Sequence, residues 1–165
     1  MDELLEQYVP RVYRFALRLT NDRHQAEDLT QETFLRAWRQ RGRLRDEQSA
    51  LAWLFRIAAN LWRDQARRGR LAVGRAGRLD EDVSTNRAGP VAEAADREML
   101  QRALAAMDSL PPRQREVLYL VAVEKLDVDE VAGIVQTSRE AVRASLCIAR
   151  RRMRELLSMF CLTIW

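Results

Sequence analysis

The spacing of apolar positions is helical along most of the chain. Leu51, Leu54, Phe55, Ala58, Leu61 and Trp62 fall at i, i+3, i+4, i+7, i+10 and i+11, which predicts one continuous apolar face on a helix over residues 49–70. Arg56, Asn60, Arg63 and Arg67 form a second stripe on the same helix, polar and mostly cationic. A solvated helix face ordinarily mixes both signs, yet this stripe holds no carboxylate. Arginine beside asparagine suits phosphate and base-edge contacts, and the competing reading is an arginine-rich surface helix.

Two helices are expected before it. Over residues 4–20, Leu5, Val9, Val12, Ala16 and Leu19 share one face, with Tyr8, Tyr13 and Phe15 beside it. Asn21 and Asp22 are good caps, and Gln25 is placed to reach back to them. The next helix is expected over residues 23–41. It has Glu27, Asp28 and Glu32 in its first half, Arg36, Arg39 and Arg41 at its end, and Gly42 to stop it. The helix dipole favours that order of charge.

After residue 68 the period dissolves. Residues 69–96 hold four glycines, Pro90 and the acidic run Asp80-Glu81-Asp82, the composition of a flexible linker. A second unit follows over residues 97–165, opening with a helix expected over residues 94–107. Pro112 is well placed at a helix start, for a helix to Val123. Asp127 with Glu130 predicts a capping box on a short helix, residues 128–135, and Thr137 with Glu140 predicts another on a long helix from Ser138 to about Leu157. A short helix, a tight turn at Gln136-Thr137-Ser138 and a longer basic helix form a helix-turn-helix, whose second helix enters the major groove by its first residues. An ordinary helical hairpin is the plainer alternative.

Charge sharpens this picture. The chain of 165 residues carries a net +4, distributed as +3, −1 and +2 over residues 1–68, 69–96 and 97–165. Two basic units on an acidic tether suit a long polyanion. Every basic residue but Lys125 is arginine. Cys147, Cys161 and His24 are too few and too scattered for a metal site, and no cofactor motif is present. On one helix the two cysteines would stand roughly 21 Å apart, beyond disulfide reach, and are read as buried, inert thiols. The first residues are acidic and amphipathic, unlike a signal segment, so a reduced, soluble, cytoplasmic protein without membrane insertion is expected. The uncharged tail over residues 156–165 is too short to span a bilayer. No nucleophile–base arrangement, Gly-rich phosphate loop or metal cluster suggests an enzyme.

Three segments, AEDLTQETFLRAW (26–38), ALAWLFRIAANLWRDQARR (50–68) and LPPRQREVLYL (110–120) with the helix-turn-helix after it, resemble extracytoplasmic-function bacterial RNA polymerase sigma factors. The resemblance covers nearly the whole chain and implies an all-α protein of two small helical domains. These are a region 2 bundle (residues 1–68) and a region 4 helix-turn-helix (residues 97–165). It implies a non-enzymatic subunit that gives core polymerase its promoter specificity, with an anti-sigma factor as regulator. The alternative is a helix-turn-helix regulator that acts without polymerase.

By that resemblance Asp28, Gln31 and Glu32 grip the β′ clamp helices, and the β flap is a further polymerase contact. Arg43, Arg45, Arg56, Asn60, Arg63 and Arg67 melt and hold the −10 strand. Ser138, Arg139, Glu140, Val142, Arg143 and Arg150 meet the duplex −35 element, while Arg151, Arg152 and Arg154 hold phosphates or acidic polymerase surface. Trp53, where the family keeps an aromatic, is read as core. Val135-Gln136 stands where the family usually has Leu-Gly, and Ala141-Val142-Arg143-Ala144-Ser145 replaces the usual Thr-Val-Lys-Ser-Arg. These changes leave the fold intact and bear on the −35 contacts.

Overall fold

The computed structural model describes residues 7–43, 49–70 and 92–162, all of whose regular elements are helical. The first half contains α1 (Val9–Thr20), α2 (Arg23–Arg39), a 3-10 turn (Arg41–Arg43) and α3 (Ala50–Arg70). The second contains α4 (Ala92–Asp108), α5 (Pro112–Ala122), α6 (Val128–Val135) and α7 (Arg139–Leu162). The expected helix start at residues 4–5, Arg45 in the loop before α3, the linker over residues 71–91 and the tail end at 163–165 lie outside the described residues.

Helix ends follow local chemistry. Pro10 lies in the first turn of α1, where its missing amide hydrogen has no intrahelical partner to lose. Asn21 takes the left-handed conformation (φ 53°) and its amide donates to the Leu17 carbonyl at 2.9 Å, closing α1. Asp22 then opens α2 by accepting from the Gln25 amide at 2.9 Å. One dipeptide therefore turns the chain between two antiparallel helices.

Helix α2 stops at Arg39, short of the expected Arg41. The Gln40 amide bonds the Arg36 and Ala37 carbonyls, and Arg41 Nη1 donates to the Trp38 carbonyl at 2.9 Å, so the last carbonyls are satisfied before Gly42 is reached. At the other end of the chain, α7 runs on to Leu162, into the apolar tail.

Helices α1, α2 and α3 pack as a bundle around Phe15, Leu29, Leu54 and Phe55, with the Phe15 and Phe55 rings edge-on at 4.9 Å. Thr30 and Thr33 are buried among them, and each hydroxyl donates to the carbonyl four residues back at 2.6 Å. Trp53 packs against this core, as expected. In the second half α5, α6 and α7 enclose Val117, Leu120, Val131, Ile134 and Val142, with α4 against α7.

The two halves also close on each other. Helix α1 packs on α5 and α3 packs on α6, so the buried apolar residues form one cluster that spans both. The Tyr119 ring, from the second half, sits 5.7 Å from that of Phe15 in the first. Burial, reinforced by nearby Glu124, pushes the Tyr119 hydroxyl up to about 12.

Candidate nucleic-acid interface

Along α2 the buried positions are Ala26, Leu29, Thr30, Thr33 and Ala37, a small-residue stripe at helical spacing. The opposite face carries Asp28 and Gln31, both exposed, with Glu32 half-buried beside them. Two large apolar side chains continue this face into solvent, Leu35 (52% exposed) and Trp38 (53%). The Arg41 guanidinium lies 4.4 Å over the Trp38 ring. The sequence reading omitted Leu35 and Trp38 because their place is visible only once the small residues are known to face the core. The available signal was the helical run Asp28, Gln31, Leu35 and Trp38, whose successive spacings are three, four and three residues.

On α3, Leu51, Leu54, Phe55, Ala58 and Leu61 are buried as expected, and so are Ile57 and Ala59. Helix α6 of the second half also packs along α3, beside the contacts α3 makes within the bundle. Of the cationic stripe, Arg56 and Arg67 are exposed, the latter paired with Asp64. Asn60 and Arg63 are turned into the seam between the halves. Arg63 Nη1 lies 3.3 Å from Glu116 Oε1 and donates to the Val135 carbonyl at 3.2 Å, while Nη2 donates to Asn60 Oδ1 at 2.7 Å and to the Ile134 carbonyl at 3.2 Å.

These carbonyls end α6, so the guanidinium caps the negative end of the helix dipole. Burial draws the Arg63 pKa below the ordinary arginine value, opposed by the pull of Glu116. Arg43 closes the 3-10 turn, but its side chain, like the whole of Arg45, lies outside the described residues.

The helix-turn-helix is built as its sequence implies. Asp127 Oδ1 accepts from the amides of Asp129 (2.8 Å) and Glu130 (2.9 Å), and Glu130 Oε2 accepts from the Asp127 amide at 2.9 Å, a complete capping box. The turn then differs by one residue. Gln136 adopts a left-handed φ of 54°, and the Thr137 amide donates back to the Ala132 carbonyl at 3.1 Å. Thr137 thus belongs to the end of α6, and Ser138 rather than Thr137 caps α7, accepting from the Ala141 amide at 3.2 Å.

At the α7 N-terminus Ser138, Arg139, Glu140 and Arg143 are exposed, with Arg150 two turns further on. Arg139 Nε pairs with Asp129 at 2.6 Å, which ties the two helices of the motif together. The Glu140 carboxyl is held below its ordinary range by its own backbone amide and by the Ser138 hydroxyl. Val142 is a correction to the expected reading set. It is fully buried, one of the stripe Val142, Leu146, Ala149 and Met153 that seats α7 on the core, so it cannot meet a base edge. Cys147 is a second correction. The thiol is exposed among the arginines, because residue 147 falls on the face of Arg143 and Arg150.

Among the described residues no group of histidine, cysteine and acidic side chains could hold a metal ion, and no helix is long and apolar enough to cross a membrane.

The sequence matches known families along both halves. The Sigma-70 region 2 family matches residues 4–71, and the Sigma-70 region 4 family matches residues 100–153. The ECF RNA polymerase sigma factor SigE of Mycolicibacterium smegmatis is 36% identical over 160 residues, which cover 95% of this chain and 61% of SigE. SigM of Bacillus subtilis, also an ECF sigma factor, is 32% identical over 94% of both chains. Among solved structures, the sigma factor RpoE of Bartonella quintana, in complex with the anti-sigma factor NepR, superposes with a TM-score of 0.77 at 25% identity, covering 95% of this chain and 96% of that one. The chain therefore belongs to the extracytoplasmic-function family of RNA polymerase sigma factors.

Proposed function

We propose that this chain binds core RNA polymerase, directs it to promoters with −10 and −35 elements, and is held in check by an anti-sigma factor. The observation that carries this reading is the solvent-facing stripe on α2. Asp28, Gln31 and Glu32 run into Leu35 and Trp38 on the face opposite the bundle core. A stripe of acid, amide and exposed aromatic is what a basic helical surface such as the β′ clamp helices would hold: charge for steering, apolar area for affinity. A DNA-binding regulator that works alone has no use for it.

In the complex, α3 would hold the melted −10 strand through Arg56, Asn60, Arg63 and Arg67, with Arg43 and Arg45 from the preceding loop. Ser138, Arg139, Glu140 and Arg143 would face bases of the −35 element, and Arg150 a phosphate or the β flap. Phosphate-only contacts add affinity and salt dependence without sequence choice. Control by an anti-sigma factor is supported by the likeness to the Bartonella sigma factor, which was solved with its own.

Run-off transcription with purified core polymerase on a library of upstream DNA from the source genome tests the reading. Transcripts that require this chain and share sequence ahead of their start sites are expected. Neither transcripts nor core binding would overturn it.

A further inference from the structure

The burial of Val142 changes which side chains of α7 can select a base within the −35 interface. Val142, Leu146, Ala149 and Met153 seat the helix on the core. The opposite side then presents Ala144 and Cys147, three residues apart and both exposed, with Ile148 beside them at 36% exposure. Arginines border this uncharged centre: Arg143 and Arg150 along one edge, and Arg151 one turn beyond Cys147. A helix face that meets only water ordinarily carries polar side chains at its centre.

The polar side chains before this centre already have partners inside the motif. Arg139 Nε pairs with Asp129 at 2.6 Å, and the Glu140 carboxylate is held by its own backbone amide and by the Ser138 hydroxyl. Resting on the sigma-factor reading, we propose that Ala144 and Cys147 select the −35 sequence by contacting thymine methyl groups in the major groove.

The chemistry matches on both sides. A methyl side chain and a free thiol behave as small hydrophobes, and the thymine C5-methyl is the apolar group that the major groove displays. Their small size lets the helix backbone come close to the bases, while Arg150 and Arg151 are long enough to reach phosphates. Cβ atoms three residues apart on a helix stand about 5–6 Å from each other, more than the base-pair rise of about 3.4 Å. The two side chains therefore meet different base pairs, and thymine is expected at two neighbouring positions. Arg143, a rigid fork of donors, suits a guanine next to them.

The test uses holoenzyme assembled from the full chain and purified core. The probe is a promoter taken from the run-off library, with its −35 region randomised. Sequencing of the duplexes that holoenzyme retains is expected to show thymine enriched at two neighbouring positions. Uracil then replaces each thymine in turn, which removes the methyl and keeps every hydrogen-bonding group of the base pair. Each replacement is expected to weaken promoter binding about fourfold, the effect of exposing one buried methyl-sized group. Ala144→Ser and Cys147→Ser each set a hydrated hydroxyl against one methyl at an exposed position, and circular dichroism checks that the helices persist. In each variant the uracil penalty is expected to fall below about twofold at one thymine and to persist at the other.

Binding that is indifferent to uracil overturns the methyl contact, as does a full penalty at both thymines in both variants. Enrichment of guanine and cytosine without thymine does the same. The wild type on unmodified promoters reports separately on the reading beneath it: no transcript from any template sinks the sigma assignment, and the methyl contact with it.

Discussion

Glu116 and Arg63, 53 residues apart in the chain, meet with Oε1 and Nη1 3.3 Å apart, and the Glu116 side chain is 1% exposed. Arg113 Nη1 approaches the other carboxylate oxygen at 3.4 Å. Burial raises the Glu116 pKa, and the two arginines counter this only in part. The pair therefore contributes specificity to the seam more than strength.

Replacing Glu116 separates charge from shape. Glu116→Ala leaves Arg63 half-buried without its carboxylate and opens a cavity, for an expected loss of about 2–3 kcal/mol. Glu116→Gln keeps the volume and removes the charge that burial disfavours, so its loss is expected to be smaller, about 1 kcal/mol. Urea denaturation of the two variants compares them. A Gln variant as destabilised as the Ala variant would contradict the account.

The same group gives a pH dependence of known sign. Its pKa is raised above the ordinary 4.5 in the folded chain, so between those values the folded state holds a proton that the unfolded state has released. The contribution is fully present below the ordinary value and is lost as pH rises through the raised one. The stability of the wild type relative to Glu116→Gln should therefore fall as pH rises from 4.5. Chemical denaturation at a series of pH values reads it, and a difference that grows with pH would be the wrong sign.

Gln136 occupies a left-handed position with an exposed side chain. Glycine there removes the Cβ strain and loses no packing, though it adds freedom to the unfolded chain. Gln136→Gly is expected to gain about 0.5–1 kcal/mol, seen as a rise of about 1–4 °C in Tm.

The cap of α7 can be assigned by substitution. Ser138→Ala should cost about 1 kcal/mol through the lost bond to the Ala141 amide, and Thr137→Ala should not show that loss. Thermal melts of the two single variants distinguish a cap at 138 from one at 137.

Leu35 and Trp38 are exposed, so Leu35→Asp and Trp38→Ala should leave the melting temperature close to that of the wild type. If the α2 stripe docks on polymerase, each should weaken core binding by about tenfold or more, the scale of an interface anchor. Fluorescence anisotropy with labelled chain and purified core measures it. Unchanged binding by both variants would place the polymerase contact elsewhere.

The sequence alone determined what depends on neighbours within a few residues. Apolar period placed α1 and α3, caps and the order of charge placed α2, and the pairing of Asp127 with Glu130 fixed the start of α6, because a capping box is closed within one turn. The DLTQE and LPPRQREVLYL segments made the family legible, since each motif is a contiguous run. Errors at this level were small and local. The cap at Ser138 was displaced by one residue because the Thr137 amide is taken by the preceding helix, a bond that no residue pattern displays.

What the sequence could not decide were the partners supplied from far along the chain. The stripe of Arg56, Asn60, Arg63 and Arg67 lacks a carboxylate of its own, and this reads equally as a phosphate surface or as one half of a distant pair. Only the packing of α5 and α6 against α3 supplies Glu116 and the α6 carbonyls to Arg63. Val142 likewise stands beside Arg143 and near Glu140 in the chain, and the core behind α7 is what buries it. Local hydrogen bonds and helical period are set by sequence separation, whereas burial and ion pairing are set by which faces meet, and that is a property of the whole fold.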